Sequence, residues 1–248
     1  MSKFPFALGA RPDPFSPEDF KAQPLALADA ALVALPTVLD NRHLFPFPVE
    51  DQEDEGACVG MAVAAAQQAA YGLRFSPSWA YIKAQLEDDV PDDGLPYEGT
   101  TLRAGLKGWH KHQALKWESW PFVAHESRYI HAEFPGSVGW PLTRYERLDV
   151  SIPDIQLGIQ QHRCALVTGE VHSGWARPTG NYRIRYSSRY RRRGLHAYLL
   201  VGWDDPTGYW LVRNSWRIRW GDQGYAWLLY EDFLANVSDV WVAVVDDA

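Results

Sequence analysis

The local sequence pattern changes near the middle of this 248-residue chain, and the change restricts the folds available to it. Residues 58–71 are almost all strong helix formers and are apolar on nearly every side, which predicts a buried helix. Ser76, followed by Pro77, predicts the start of a second helix that continues to Leu86. Thr100 or Thr101 is the predicted cap of a third helix. The first half is therefore predicted to be mainly helical.

The second half contains short runs rich in Val, Tyr, Trp and Leu, separated by turn-forming residues. Such runs predict β-strands. The predicted strands cover residues 165–171, 196–203, 209–213, 224–230 and 240–245, after a short predicted helix over residues 155–161. Helices followed by strands indicate an α+β fold, and two lobes of different type leave a groove between them.

Composition excludes several classes of protein. Apolar residues make up 46% of the chain, enough for one sizeable globular unit and too many for a disordered protein. Two cysteines, Cys58 and Cys164, are too few for a disulfide framework, although a single bridge between them is left open. The first residues lack a signal-peptide pattern, and the sequence has no apolar run long enough to span a membrane. We expect a protein made in the cytoplasm, with later non-classical export left open.

Cys58 is the candidate nucleophile. A single cysteine more often fills a small space in a core, but Cys58 stands at the start of a predicted helix, where the helix dipole favours a thiolate. Gln52 lies six residues before it, and the small residues 56–57 precede it directly. This context favours a reactive thiol.

Two motifs lie far downstream. His196 is followed by a small residue and an apolar run that ends in Val-Gly-Trp. Asn214 begins an Asn-Ser-Trp sequence, which is followed by Trp220-Gly221 and by Gly224-Tyr225. Taken singly, a core histidine and a turn asparagine would be ordinary structural residues. Cys58 precedes His196 by 138 residues and Asn214 by 156, close to the separations known for catalytic thiols of this kind.

These three ordered motifs resemble those of the papain-like cysteine peptidases of the C1 type. The resemblance covers roughly residues 35 to 245. It implies a two-lobed fold, with a mainly helical lobe at about 50–148 and an antiparallel, barrel-like sheet lobe at about 149–245, and the active-site cleft between them. Residues 1–34 are predicted to form an N-terminal arm or short leader to this catalytic domain.

The resemblance also implies the site. Cys58 would be the nucleophile, His196 its base and Asn214 the group that orients the histidine. Gln52 and the Cys58 N–H would stabilise the oxyanion, and Gly99, Ala197 and Trp216 would contact a polypeptide substrate. The remaining histidines form no metal-ligand pattern with the cysteines, so neither metal nor organic cofactor is predicted.

The sequence departs from the family pattern at several positions. Glu53 stands where glycine is usual after the glutamine, Glu55 replaces a cysteine of the usual disulfide, and Val59 replaces an aromatic residue. Arg217 follows the Asn-Ser-Trp motif where glycine is common. The residues before Leu35 are too few and too rich in proline for a helical inhibitory domain, so we expect the unprocessed chain to react with thiol probes.

Two rivals to peptide hydrolysis remain at this stage. An amine could intercept the acyl-enzyme, which would give an acyltransferase or amide-forming enzyme. A binding protein on a peptidase scaffold is the other alternative, because a fold alone does not fix a function. The intact set of candidate site residues argues against the binding protein.

Charge is unevenly distributed along the chain. The net charge is −7, yet the segment from Arg177 to Arg193 carries seven arginines and no acidic residue. The rest of the chain holds 17 basic and 31 acidic residues, a formal −14. The segment is either a solvated hairpin or a docking surface, and in the second case an acidic protein is the predicted partner. Nucleic acid is not predicted, because the remaining negative charge would repel it.

Overall fold

The computed structural model describes residues 4–21, 34–89, 98–125, 138–187 and 189–246. Five helices and seven strands occur in these ranges. The helices are α1 (Cys58–Tyr71), α2 (Pro77–Leu86), α3 (Leu102–His112), α4 (Ile152–His162) and α5 (Tyr230–Asn236). The strands are β1 (Val38–Asp40), β2 (Arg144–Arg147), β3 (Ala165–His172), β4 (Arg192–Asp204), β5 (Tyr209–Arg213), β6 (Tyr225–Leu229) and β7 (Val237–Val244).

Local sequence signals set the starts and ends of the first helices. Helix α1 ends at Gly72, whose φ of 67° lies in the left-handed region that glycine adopts without strain. Ser76 caps α2 by accepting a hydrogen bond from the Trp79 N–H at 3.0 Å, and Pro77 occupies the first turn. Thr101 caps α3 through the Ala104 N–H at 3.2 Å, which resolves the choice between Thr100 and Thr101.

The sheet is antiparallel and open. Its strand order is β2-β7-β3-β4-β5-β6, with β1 paired to the far end of β4. The predicted α+β architecture is confirmed, whereas the barrel-like closure of the second lobe is wrong for the described residues. Strands β2 and β6 remain the two ends of the strand order, because no ladder joins them.

Strand β4 separates two hydrophobic cores. Ala197, Leu199 and Val201 pack with α1, α2 and α3 on one face of the sheet. Tyr198 and Leu200, which alternate with them, pack on the other face in the same core as Ile155 of α4 and Phe233 of α5. Because successive strand residues point to opposite faces, one strand contributes to both cores. Its first buried residue on the second face is His196.

Two possibilities that the sequence leaves open do not occur in the described residues. Ser16 and Pro17 would suit the start of a short helix to Leu27, but the chain makes a turn within residues 16–21, and residues 22–27 lie outside the described residues. The disulfide left open by the sequence is not formed, since Cys58 and Cys164 are both free and buried. Among the described residues, no helix is long and apolar enough to cross a membrane.

Candidate active site

Cys58 is the first residue of α1 and has no exposed surface. Burial raises the pKa of its thiol, while nearby backbone N–H groups of Ala197, Gly9 and Val59 act in the opposite direction. The N-terminus of α1 thus faces strand β4 at Ala197, immediately after His196. This contact brings the helical lobe and the sheet lobe together at the candidate nucleophile.

His196 is held by Asn214 and Trp216. One ring nitrogen, Nε2, lies 2.7 Å from Asn214 Oδ1, and the indole of Trp216 stacks on the imidazole with ring centroids 4.5 Å apart. The Ser215 N–H also donates to Asn214 Oδ1 at 2.8 Å, so this oxygen must accept from both neighbours. Nε2 therefore carries the proton, and the lone pair is on Nδ1, which has no hydrogen-bond partner in the described part of the chain.

Burial also governs the charge on His196. The pKa of its imidazole falls to about 4, because desolvation disfavours the cation more than the Asn214 hydrogen bond favours it. Because the pKa of the Cys58 thiol is raised as well, both groups are neutral near pH 7 in this conformation. A thiolate–imidazolium pair requires a more polar environment than the closed cleft provides.

Gln52 is wholly buried next to the same site. Its amide oxygen accepts from Ser215 Oγ at 2.6 Å, which aims the amide nitrogen away from that side. The nitrogen donates to the Glu55 carbonyl at 2.9 Å and to the Ala7 carbonyl at 3.3 Å. A backbone carbonyl of the N-terminal arm therefore occupies one of the two donors of Gln52.

The arm crosses the cleft directly over Cys58. Phe6 stacks on Trp216 with centroids 4.3 Å apart and an interplanar angle of 2°. The Gly9 carbonyl accepts from the Thr100 N–H at 3.0 Å, and Ala10 forms a parallel bridge with Thr100. Arm residues 4–11 therefore contact both walls of the cleft, and they cover the thiol and the imidazole.

Gly9 fits between two other glycines. A Cβ on Gly9 would lie 2.0 Å from the Gly56 carbonyl oxygen, and a Cβ on Gly99 would lie 2.2 Å from the Gly9 carbonyl oxygen. Real Cβ contacts are never this short, so backbone runs against backbone at this point of the cleft. Gly99 also has a φ of 86°, which favours glycine independently of the close contact.

The structure thus brings the predicted site residues together. Cys58, His196, Asn214 and Gln52 adjoin one another through the contacts above, and the predicted substrate-contact residues Gly99, Ala197 and Trp216 adjoin the arm, the thiol or the imidazole. Among the described residues, no group of His, Cys, Asp and Glu is arranged to hold a metal ion.

Three residues support the site in ways that the sequence did not predict. Buried Arg213 donates to the Gln68 side chain at 3.2 Å and to Tyr225, joining the end of β5 to α1. Ser215 orients Gln52, as described above. Buried Glu55 accepts a hydrogen bond from the His125 N–H, so a polar contact stands where the resembling family has a disulfide cysteine. Ser215 and Glu55 are polar residues inside the motifs, and this was the feature of the sequence that could have indicated their roles.

The arginine segment lies along the sheet and next to the arm. Arg192 pairs with Glu170 at 2.8 Å, and the Arg193 guanidinium lies over the Phe4 ring at 5.8 Å. Arg183 lies over Tyr209 at 4.5 Å. The acidic partner predicted for this segment remains a prediction.

Known proteins are similar to this chain over most of its length. The family described as papain family cysteine protease matches residues 35–240. Peptidase 1 of the mite Dermatophagoides farinae is 28% identical over 209 residues, and the cysteine protease of Blomia tropicalis is 24% identical over 198 residues. These matches cover 79% and 73% of the chain and span 61% and 56% of the relatives' own lengths.

Solved structures superpose on nearly the whole chain. Xylellain, a cysteine protease from Xylella fastidiosa, superposes with a TM-score of 0.77 at 26% identity, covering 97% of both chains. The procathepsin B structure from Trypanosoma congolense has a TM-score of 0.73 at 15% identity, which supports the fold alone.

Proposed function

This chain belongs to the papain family of cysteine proteases, and we propose that it hydrolyses peptide bonds through Cys58, His196, Asn214 and Gln52. The observation that carries the proposal is the buried imidazole of His196, which Asn214 and Trp216 fix on strand β4, while the backbone N–H of the next residue, Ala197, contacts the Cys58 thiol. Nucleophile, base and orienting group are the parts that thiol catalysis needs, and Gln52 adds a donor for the oxyanion.

The proposed reaction begins with transfer of the Cys58 proton to His196 Nδ1. The sulfur attacks the peptide carbonyl carbon, and the negative oxygen accepts hydrogen bonds from Gln52 Nε2 and the Cys58 N–H. The imidazolium then protonates the leaving amine, which leaves a thioester on Cys58. A water molecule that gives its proton to His196 hydrolyses the thioester and regenerates the thiol. Asn214 keeps Nδ1 directed at the reacting atoms without adding charge.

We further propose that the arm-covered structure is a resting state. Phe6 to Ala10 fill the cleft, and Ala7 occupies the proposed oxyanion donor. This arrangement replaces our expectation that the unprocessed chain reacts freely with thiol probes. The neutral thiol and imidazole agree with this interpretation, because loss of the arm would hydrate both groups and favour the ion pair.

The direction of the arm explains why it would not be cleaved. A leaving amine departs next to the imidazole that protonates it, so substrate residues after the scissile bond belong on the Trp216 side. The arm instead begins at Trp216 and continues to Thr100, with its N-terminal end on the leaving-group side. Its backbone is therefore reversed relative to a substrate, so the amine released from an arm peptide bond would lie on the Thr100 side, away from the imidazole that must protonate it.

Gln52 and Asn214 provide the first test of the mechanism. We expect Gln52→Ala to lower kcat by about a hundredfold relative to the alkylation rate of Cys58 in the same protein, because an oxyanion donor is lost. Asn214→Ala should slow alkylation itself, because the imidazole is no longer fixed. Both rates are measured because Gln52 also contacts the arm, so its replacement changes access to Cys58 as well as the oxyanion donor. A Gln52→Ala protein with an unchanged ratio of kcat to alkylation rate would exclude the oxyanion role.

Acidity should tighten the arm. Its Asp13 N–H donates to buried Asp239 at 3.1 Å, and desolvation and the Asp13 charge raise the pKa of Asp239 to about 6. Burial raises the pKa of Asp13 too, despite Arg103 and Arg147 nearby. Because both pKa values are higher with the arm bound, this contribution to arm binding is complete below the ordinary carboxyl pKa and is lost as pH rises through about 6.

The measurement is the rate of Cys58 alkylation in the unprocessed chain, compared with that of Asp13→Asn between pH 5 and 8. The pH dependence of thiolate formation is the same in both proteins. The ratio of their alkylation rates therefore reports only the effect of pH on binding of the arm. We expect alkylation of the wild type to rise more steeply with pH than that of Asp13→Asn, by roughly tenfold across the range. Parallel pH profiles for the two proteins would show that the carboxylate pair does not control the arm.

A further inference from the structure

An open pocket of about 320 Å³ lies beside the cleft at Trp216. Its lining includes Phe6 of the arm, the aromatic rings of Tyr182, Trp216 and Trp220, and three arginines. Trp216 stacks on His196, so the pocket adjoins the side on which the proposed mechanism releases the amine. A substrate that displaced the arm would pass this pocket directly after its scissile bond.

The three arginines, Arg177, Arg217 and Arg219, are exposed, and no carboxylate from the described part of the chain lines the pocket with them. Arg217 pairs with Asp51 at 3.1 Å on an exposed surface. Within the described ranges, Arg177 and Arg219 make no ion pair. The pocket therefore has more positive charge than its own surroundings neutralise, in a chain whose net charge is −7.

Arg217 has an unusual backbone for an arginine. Its φ is 60°, in the left-handed region that favours glycine. The turn is fixed on both sides, since the Arg217 N–H donates to the Glu50 carbonyl at 3.2 Å and its own carbonyl accepts from the Trp220 N–H at 3.2 Å. A charged side chain stands at this position although glycine would relax the backbone, and local backbone strain of this kind is concentrated at functional sites.

We propose that this pocket, called here the arginine pocket, binds a carboxylate of the substrate on the leaving-group side of the scissile bond. The inference rests on the proposed peptidase function and assigns it a substrate class. Guanidinium groups make charge-assisted hydrogen bonds to carboxylates, and three of them converge on one opening. The carboxylate belongs to an acidic side chain at the first or second residue after the cleaved bond, and a free C-terminus near that bond offers the same chemistry.

The test uses three peptides that share one sequence before the scissile bond. The first has Glu directly after the bond and an amidated C-terminus, and the second differs by Gln at that position. The third keeps Gln but ends one residue later in a free carboxylate. The unprocessed chain is the enzyme, and the measured quantity is the kcat/KM for one peptide divided by the kcat/KM for another. The fraction of molecules with the arm displaced is common to all peptides and cancels in this ratio.

We expect the Glu peptide to exceed the Gln peptide by about five- to tenfold at low salt, with the preference falling as salt screens the exposed pocket. Arg217→Gly should reduce the ratio to about one or two, leave cleavage of the Gln peptide unchanged and keep or raise the melting temperature, because glycine suits the φ of 60°. Arg189→Gly is the matched control: it removes an exposed arginine outside the pocket and should not change the ratio.

The possible outcomes distinguish failure of the arginine-pocket proposal from failure of the proposed peptidase function. Equal cleavage of all three peptides, or a Glu preference that survives Arg217→Gly, would overturn the arginine pocket while leaving the peptidase intact. A preference confined to the third peptide would support the pocket and identify the C-terminal carboxylate as its ligand. Failure to cleave any peptide, even with the arm released as described below, would overturn the proposed function and the pocket with it.

Discussion

Replacing Cys58 with alanine is expected to abolish peptide hydrolysis, with a loss in kcat on the order of 10⁴- to 10⁶-fold. The thiol is the group that forms the proposed acyl-enzyme, and it contacts the backbone N–H of Ala197, the residue directly after the proposed base His196. Since the side chain is buried at the start of α1, the change removes a single sulfur atom and should cost about 1 kcal/mol in the free energy of unfolding. Hydrolysis and thermal unfolding are measured on the same preparation.

Cys164 supplies the matched control for this experiment. It is the other cysteine of the chain, it is buried, and burial raises the pKa of its thiol to about 12, so it is inert. Cys164→Ala should retain nearly full activity at a similar cost in stability. Equal losses of activity in the two variants, without unfolding, would show that Cys58 is not the nucleophile.

Local sequence chemistry was sufficient to predict the helices and strands that surround the site. Helices α1 and α2 and strand β5 have the predicted bounds, because alanine-rich composition, a Ser-Pro start and a turn-bounded aromatic run act over a few residues. Strands β1 and β2 were not predicted. They have three and four residues, and their pairing with β4 and β7 is decided by tertiary contacts.

The sequence predicted the site residues that lie in motifs. It did not predict residues that reach the site only through tertiary contacts. Cys58, His196 and Asn214 come together because α1 meets β4 and β4 pairs with β5, an arrangement implied by the order of the motifs. The arm over the cleft was not predicted. Residues 4–11 have neither strand nor helix periodicity, and their conformation depends on Gly56, Gly99 and Trp216, which lie far along the chain.

The arm itself gives the second large expected effect. We expect Gly9→Ala to raise both Cys58 alkylation and peptide hydrolysis in the unprocessed chain by about five- to a hundredfold. The new methyl group would lie 2.0 Å from the Gly56 carbonyl oxygen, and the opposite wall is backbone as well, so neither side can yield by changing a side-chain rotamer. Overpacking of this kind costs roughly 1–3 kcal/mol, which converts into that change in the open fraction.

Gly139→Ala is the matched control for Gly9→Ala, because a Cβ at Gly139 meets nothing within 4 Å. It should change neither alkylation nor hydrolysis. The two readouts together distinguish release of the arm from damage to the site: release raises both, whereas distortion around Gly56 and Cys58 would lower hydrolysis even where the thiol becomes accessible. If Gly9→Ala and Gly139→Ala both match the wild-type rates, the arm does not limit access to Cys58, and the resting state proposed above is wrong.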